Sequence, residues 1–440
     1  MKYSPLARSI SLGSLAVALC IPMAAQAAFI EDSKASLELR NFYMNRDFRN
    51  SNSNVAPDPM NPALKTGRQS KAEEWAQGFL LRYESGFTEG TVGVGVDAYG
   101  FTGFKLDSGG GTAGTGLLPR GDSGKAPSSY GELGAAAKFR ISETTLRAGT
   151  LMPKLPVVSA GDSRLLPQTF QGMQLTSLDV SNLTLNAGQL ERDNQRNSTN
   201  NQPMQISLHS TDKRDITKYS KTNKNISNKF NFFSGSYKWN DQLSTGYHYG
   251  QLDGVYKQHI VNGVYVLPIT ENQSLKADLR YAKTSDDDNS GIDNKAISGM
   301  LTYSLGYNSF GLGYQKMSGD TGYAYLELTD PYLVNYVQVR DFAATDEKSW
   351  QARYDYNFAG LGIPGLNLMT RYVSGSNIYM GAGQSRGSEW ERDTDIGYVF
   401  QDGPLKNLGV KWRNSTVRSD ISVGKVDENR LIVSYTIPLM

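Results

Sequence analysis

Along this chain, segments of roughly 8 to 12 residues alternate between apolar or aromatic and polar side chains, and each stops at a cluster of Gly, Asn, Asp, Ser or Pro. A period of two puts the apolar set on one face of a strand and the polar set on the other. Such segments fall at 35–46, 74–84, 91–100, 130–141, 144–152, 171–178, 183–191, 229–238, 243–252, 255–266, 274–282, 296–305, 309–316, 347–358, 366–374, 390–400, 406–414 and 429–438. No apolar run of about 18 residues follows residue 27, which excludes membrane-spanning helices. The connections alternate as well. Short turns such as ESGFTEGT, ISETT, SLDVSN and FQDGPLKN take turns with mostly longer polar stretches, among them 192–228 and 317–346. This pattern predicts an all-β fold, a transmembrane antiparallel β-barrel of 18 strands with its short turns on the periplasmic side. A barrel of that size leaves a water channel unless a loop folds inside it.

The first 27 residues combine Lys2 and Arg8, an apolar run and Ala25-Gln26-Ala27, and predict a secretory signal peptide followed by one barrel domain over 28–440. The only cysteine, Cys20, lies in that segment behind Leu19, which is not the small residue a lipid-attachment site needs. Disulfides and thiolate metal sites are therefore excluded from the mature chain. Lys2 and Arg8 are two of the 45 basic residues and none of the 43 acidic ones precedes residue 28, so 43 of each sign remain. Charge selectivity must then come from placement. Neither a cofactor nor a nucleic-acid partner is expected.

One stretch breaks the alternation. Residues 149–172 read GTLMPKLPVVSAGDSRLLPQTFQG; Pro153, Pro156 and Pro167 remove ladder donors, so the segment cannot extend a hairpin. It nevertheless carries Leu155, Val157, Val158, Leu165 and Leu166 beside Asp162, Ser163 and Arg164. Either it packs on a sheet like an ordinary loop, or, as the third long connection, it folds into the lumen and presents its polar cluster there.

Parity assigns charges to faces, because an Arg or Lys facing lipid near the midplane costs about 2–4 kcal/mol. The last strand sets Leu431, Val433, Tyr435 and Ile437 toward lipid, with Arg430, Ser434 and Thr436 on the other face. The same rule turns Glu38, Arg40, Arg46, Glu132, Lys138, Arg140, Lys276, Asp278, Arg280, Gln351, Arg353, Asp355, Arg371, Lys411 and Arg413 inward. Basic residues predominate in this row, which is either a solute path or a set of paired charges that hold the wall. Trp75, Tyr83, Trp239, Trp350 and Trp412 suit interfacial girdles or ordinary strand packing. His209-Ser210-Thr211-Asp212 has the residue types of a hydrolytic triad, but adjacent positions cannot form its geometry. His248 and His259 lack partners at metal spacing, and Asp286-Asp287-Asp288 reads as a solvated loop.

At its full mature length the sequence resembles the OprD family of outer-membrane porins, in FIEDSKASLELRNFYMNRDF, EWAQGF, SGFTEGTVGVGVDAYG, GTLMPKLPVV with GDSRLLPQTFQG, GDTGYAYL, SWQARYDYNFAGLGIPGL, SEWERD and DENRLIVSYTIPL. The resemblance implies a barrel narrowed mainly by the third loop, and a ladder of arginines and lysines along which a solute carboxylate travels. Carried over to this chain, Arg40, Arg46, Arg140, Arg353, Arg371 and Arg413 are ladder candidates, with Lys138, Arg280 and Lys411 added by parity. Pro156, Asp162, Ser163 and Arg164 are the constriction candidates. Small carboxylate solutes, outer-membrane lipid and lipopolysaccharide are the expected partners, with the protein a monomer or a weakly associated trimer. A channel for basic amino acids or peptides, and a loop-mediated adhesin or barrel enzyme, are the alternatives.

Overall fold

In a computed structural model, residues 29–49, 70–108, 112–121, 125–208, 211–214, 225–421 and 424–440 are described. The export segment expected at 1–27, and His209 and Ser210, lie outside them. The barrel consists of β1 (Lys34–Asp47), β2 (Lys71–Glu84), β3 (Gly93–Asp107), β4 (Ser129–Ile141), β5 (Thr144–Leu151), β6 (Thr169–Ser177), β7 (Leu183–Asn194), β8 (Phe230–Lys238), β9 (Leu243–Leu252), β10 (Tyr256–Thr270), β11 (Gln273–Asp286), β12 (Asp293–Leu305), β13 (Asn308–Gly319), β14 (Lys348–Asn357), β15 (Leu366–Ile378), β16 (Gly387–Val399), β17 (Gly409–Ser419) and β18 (Lys425–Pro438). Each strand pairs antiparallel with the next, and β1 pairs with β18 from Ser36↔Pro438 to Asp47↔Asp427. The sheet is closed and has no edge to protect.

Every strand expected from the alternation is present. Several run further at the loop end than the alternation showed: β3 continues to Asp107, β15 to Ile378, and β18 begins at Lys425. Above the lipid belt both faces of a strand meet polar surroundings, so the period-two signal fades while the hydrogen-bond ladder continues. Burial follows parity. On β13, Phe310, Leu312 and Tyr314 are exposed on the outer face while Gly311, Gly313 and Gln315 are buried inside. A register slip of one residue would exchange these faces, so the lipid and the filled lumen together fix the pairing. Trp75 and Trp350 sit near the long-loop end and Trp239 and Trp412 near the short-turn end, all exposed.

The lumen is filled from the long-loop end. In the third loop, Lys154–Leu155 and Val158–Ser159 form a small hairpin, with Pro156 at its turn, where a preset φ suits the bend. Val157, Val158 and Ala160 pack with Phe170, Phe230 and Tyr256 of the wall, with Met204 and Ile206 of the fourth long connection, and with Tyr323, Leu326 and Leu333 of the seventh. Leu165 and Leu166 join a second cluster with Leu117 and Leu118 of the second long connection and Phe42, Met44, Leu80 and Phe101 of the wall. Burying each such side chain away from lumen water stabilises the inward fold by about 1.5–3 kcal/mol before ordering costs. The loop therefore lies inside the barrel, and the reading of it as an ordinary loop on a sheet surface does not hold.

The constriction and its charged wall

The third loop reaches across to β1. Arg40 donates through Nη1 to Asp162 Oδ1 (2.6 Å) and to the carbonyls of Arg164 (2.9 Å) and Leu165 (3.4 Å), while its Nε meets Glu38 Oε1 (2.8 Å). One inward arginine thus fixes both the height of the loop and the direction of its acidic side chain. Ser163 is the meeting point of three more guanidiniums. Its Oγ accepts from Arg196 Nη1 (2.9 Å), and its carbonyl accepts from Arg164 Nη1 (2.9 Å) and from Arg430 Nη1 (3.5 Å). Arg430 is anchored to Glu428 Oε1 (2.6 Å) and to the Gln338 carbonyl (3.0 Å), and Arg46 pairs with the other oxygen of Glu428. Arg164 lies within Coulombic reach of Arg430, Arg196 and Arg46, with Glu428 the carboxylate among them. Two of these guanidiniums, Arg46 and Arg430, share Glu428, while Arg164 and Arg196 crowd beside them with only Asp330 as a further carboxylate near Arg196. Like charges crowded in a poorly hydrated space repel, and a passing anion relieves that repulsion.

The seventh long connection closes the other side, held by the inward carboxylates of β16. Glu391 accepts from the backbone N–H of Val339 and of Arg340 (2.8 Å each), and from Ser415 Oγ (3.0 Å). Asp393 takes Arg371 Nε (2.7 Å), and Arg340 reaches Glu389 (3.3 Å). Asp330 of the same connection donates its N–H to the Ser159 carbonyl (2.9 Å), and its carboxylate accepts from Tyr336 Oη (3.0 Å). Burial pushes the Asp330 carboxyl up, against the opposing pull of Tyr336, Lys154 and Arg196. The seventh and third connections meet again at Gly161, where a Cβ would collide with the Leu328 carbonyl oxygen, and Leu328 itself is held at φ 62°. Gly161→Ala is therefore expected to push the two apart and to split or broaden the open-channel current in planar bilayers. A single level with wild-type conductance would show that they move independently.

Below the constriction, toward the short turns, lies a cavity of about 840 Å³, within the range of small-molecule sites. Its charged lining is Arg40, Arg164, Arg353, Lys411 and Arg413 against Glu38, Asp162, Asp355 and Asp395. Residues 27–439 match the family described as "outer membrane porin, OprD family". The chain belongs to that family. This OprD-family porin is 39% identical over 434 residues to the porin-like protein GalP of Pseudomonas putida, covering 97% of each chain. It superposes on the crystal structure of Pseudomonas aeruginosa OpdQ with a TM-score of 0.82 and 56% identity, over 94% of this chain and 100% of that one. The corresponding values for Pseudomonas aeruginosa OpdK, solved with vanillate, are 0.81, 36%, 93% and 100%. The porin is thus a non-enzymatic, substrate-specific channel of the outer membrane.

The wall cations of this porin are mostly engaged. Arg353 pairs with Asp355 (2.7 Å), Arg413 with Asp395 (2.9 Å), Arg280 with Asp278 (2.8 Å) beneath the Tyr332 ring, and Lys138 with Asp97 (2.7 Å). The acids Asp97, Asp278 and Asp355 are thus set beside the basic groups and not apart from them. Lys138 also donates to the Ser85 carbonyl, and Arg140 lies over the Phe87 ring (4.2 Å), so both sit at the first short turn rather than along the cavity. Lys411 faces the cavity with no carboxylate partner among the described residues. In the loop, Asp162 remains 36% exposed at its side chain whereas Arg164 is buried, so the latter shapes the field and not the contact surface. His248 bridges Ser234 and Asn262, and His259 meets Tyr247 Oη on the outer face. Sequence reasoning did not single out Arg196, which sits in a connection without any period. It also passed over the β16 carboxylates, although strict alternation in SEWERDTD would have turned Glu389, Glu391, Asp393 and Asp395 to one face.

Proposed function

We propose that this porin passes small carboxylate-bearing solutes, which are drawn to the arginines around Ser163 and handed down a wall of Arg40, Arg353, Lys411 and Arg413. The observation that carries this reading is the excess of guanidinium over carboxylate where the third loop crosses the lumen: Arg40, Arg46, Arg164, Arg196 and Arg430 against Asp162, Asp330 and Glu428. Guanidinium replaces the water a carboxylate loses with planar, paired donors and stays charged at every physiological pH. Engagement of the wall arginines by Asp355, Asp395 and Glu38 supports the same reading, since a trap would not conduct and several weakened sites in sequence do. OpdK with vanillate, an aromatic carboxylate, is a relative that fits it.

A second reading rests on those same carboxylates. Glu38, Asp162, Asp355 and Asp395 line one cavity and would serve the ammonium end of a basic amino acid. Liposome swelling separates the two. Benzoate is expected to enter severalfold faster than lysine or arginine, and the reverse order would install the second reading. In either case residues 1–27 act as an export signal that is removed, leaving 28–440 as the barrel, alone or in a weak trimer.

A further inference from the structure

Lipid-facing charge is distributed unevenly around the barrel. On the β17–β18–β1–β2 side, outward charges near the long-loop rim neutralise one another: Arg418 with Asp427 (2.7 Å), Arg49 with the same Asp427, and Lys71 with Glu73 (2.9 Å). On β10, Lys257 is likewise paired with Asp287 (2.8 Å). Across the next four strands the pattern changes. Lys283 on β11, Lys295 on β12, Lys316 on β13 and Lys348 on β14 are all exposed, each flanked along its strand by buried, inward residues such as Ala282, Ala296, Gln315 and Ser349. All four therefore point outward.

Register brings them together. Lys283 is directly opposite Lys295, Lys316 is directly opposite Lys348, and Lys295 and Lys316 are diagonal neighbours, since Lys295 opposes Ser318 and Lys316 opposes Ile297. Like charges directly opposite each other on a sheet are unfavourable. Among the described residues none of the four has a carboxylate within ion-pair distance, and Asp293 on the same face pairs with none of them. With strands about 4.8 Å apart, the four ammoniums form a stripe about 15 Å wide. Its height is fixed by what lies beneath. Two residues toward the membrane centre stand Tyr281, Ile297, Tyr314 and Trp350, all exposed on the same face, and a Tyr/Trp row of this kind marks the membrane interface. The lysines thus sit just above it, at headgroup depth, on stems long enough to reach sideways into that layer.

We propose that Lys283, Lys295, Lys316 and Lys348 form a docking stripe for an outer-leaflet lipid whose headgroup carries more than one phosphate. A headgroup is favoured over free phosphate because the stripe opens onto the bilayer and continues downward into an apolar, aromatic face that acyl chains cover. This goes beyond the transport reading and does not depend on it, since these side chains lie on the opposite face of the wall from the lumen.

The test uses the full mature chain, purified in non-ionic detergent and titrated with diphosphoryl lipid A under native mass spectrometry. Replacing all four, Lys283→Gln, Lys295→Gln, Lys316→Gln and Lys348→Gln, is expected to weaken binding at least tenfold, while the four Lys→Arg replacements retain it. Dephosphorylated lipid A is expected to bind wild type and Gln variant alike. Single-channel conductance serves as the folding control, and the milder Lys283→Gln/Lys295→Gln pair stands in should the fourfold variant fail to assemble. Equal lipid A binding by wild type and Gln variant overturns the stripe. Inorganic pyrophosphate binding the four lysines as tightly as lipid A overturns the lipid as occupant.

Discussion

Deleting residues 156–167 is expected to raise single-channel conductance severalfold and to make the current noisier. An 18-stranded wall encloses far more space than its own side chains fill, and this loop takes up that space by lodging Val157 and Val158 in one apolar cluster and Leu165 and Leu166 in another. The deletion does more than remove an obstacle. Leu117 and Leu118 of the second connection, and Tyr323, Leu326 and Leu333 of the seventh, lose their cover, and apolar groups facing lumen water no longer have one preferred packing. Hence the added noise. Arg40 loses Asp162 but keeps Glu38 at 2.8 Å, so the wall itself should persist and the variant should still run as a heat-modifiable barrel. A folded variant with wild-type conductance would assign the barrier instead to the seventh connection, which Glu391 holds by the N–H groups of Val339 and Arg340.

The barrel was legible because lipid imposes a strict rule on every strand: each second side chain must be apolar, and a charge in the wrong parity is costly. Tyr314 and Gln315 are told apart by that rule alone. The third loop could be recognised by its unexplained Val157, Val158, Leu165 and Leu166, because apolar side chains without a period still need cover. The charge network could not be read in the same way. Parity turns Arg371 and Asp393 to the same side, but only the register opposes them on β15 and β16, and only that opposition shows that Arg371 is engaged. Arg196 approaches Ser163 from 33 positions away in a connection that no period constrains. A sequence pattern tells which face a residue is on. It does not tell which cations are left over once neighbours have paired, and selectivity rests on those.

Replacing Arg196 and Arg430 together by Gln is accordingly expected to lower benzoate flux severalfold, up to about tenfold, while small neutral sugars pass nearly unchanged. Arg196 has no carboxylate within ion-pair distance among the described residues, and such a cation acts on a solute carboxylate about 6 Å away with roughly 3 kcal/mol at an effective dielectric constant near 20, where about 1.4 kcal/mol corresponds to a factor of ten; Arg430, which shares Glu428 with Arg46, adds less. A paired arginine does less, because its carboxylate opposes it at nearly the same distance; this places Arg353 and Arg413, bound to Asp355 and Asp395, behind the cluster at Ser163 in importance. Arg430, 1% exposed, exerts its effect through the field rather than by touching the solute. The double variant leaves Arg46 on Glu428, so no buried carboxylate is stranded and the fold should tolerate the change. Arg353→Gln with Arg413→Gln is the informative comparison, since it frees Asp355 and Asp395 and turns the cavity lining net negative; it should slow benzoate and speed lysine. Equal loss of benzoate and sugar flux in the Arg196/Arg430 variant would mean that these side chains merely shape the opening. Unchanged benzoate flux would move the selective step down to Lys411 and the paired arginines of the cavity.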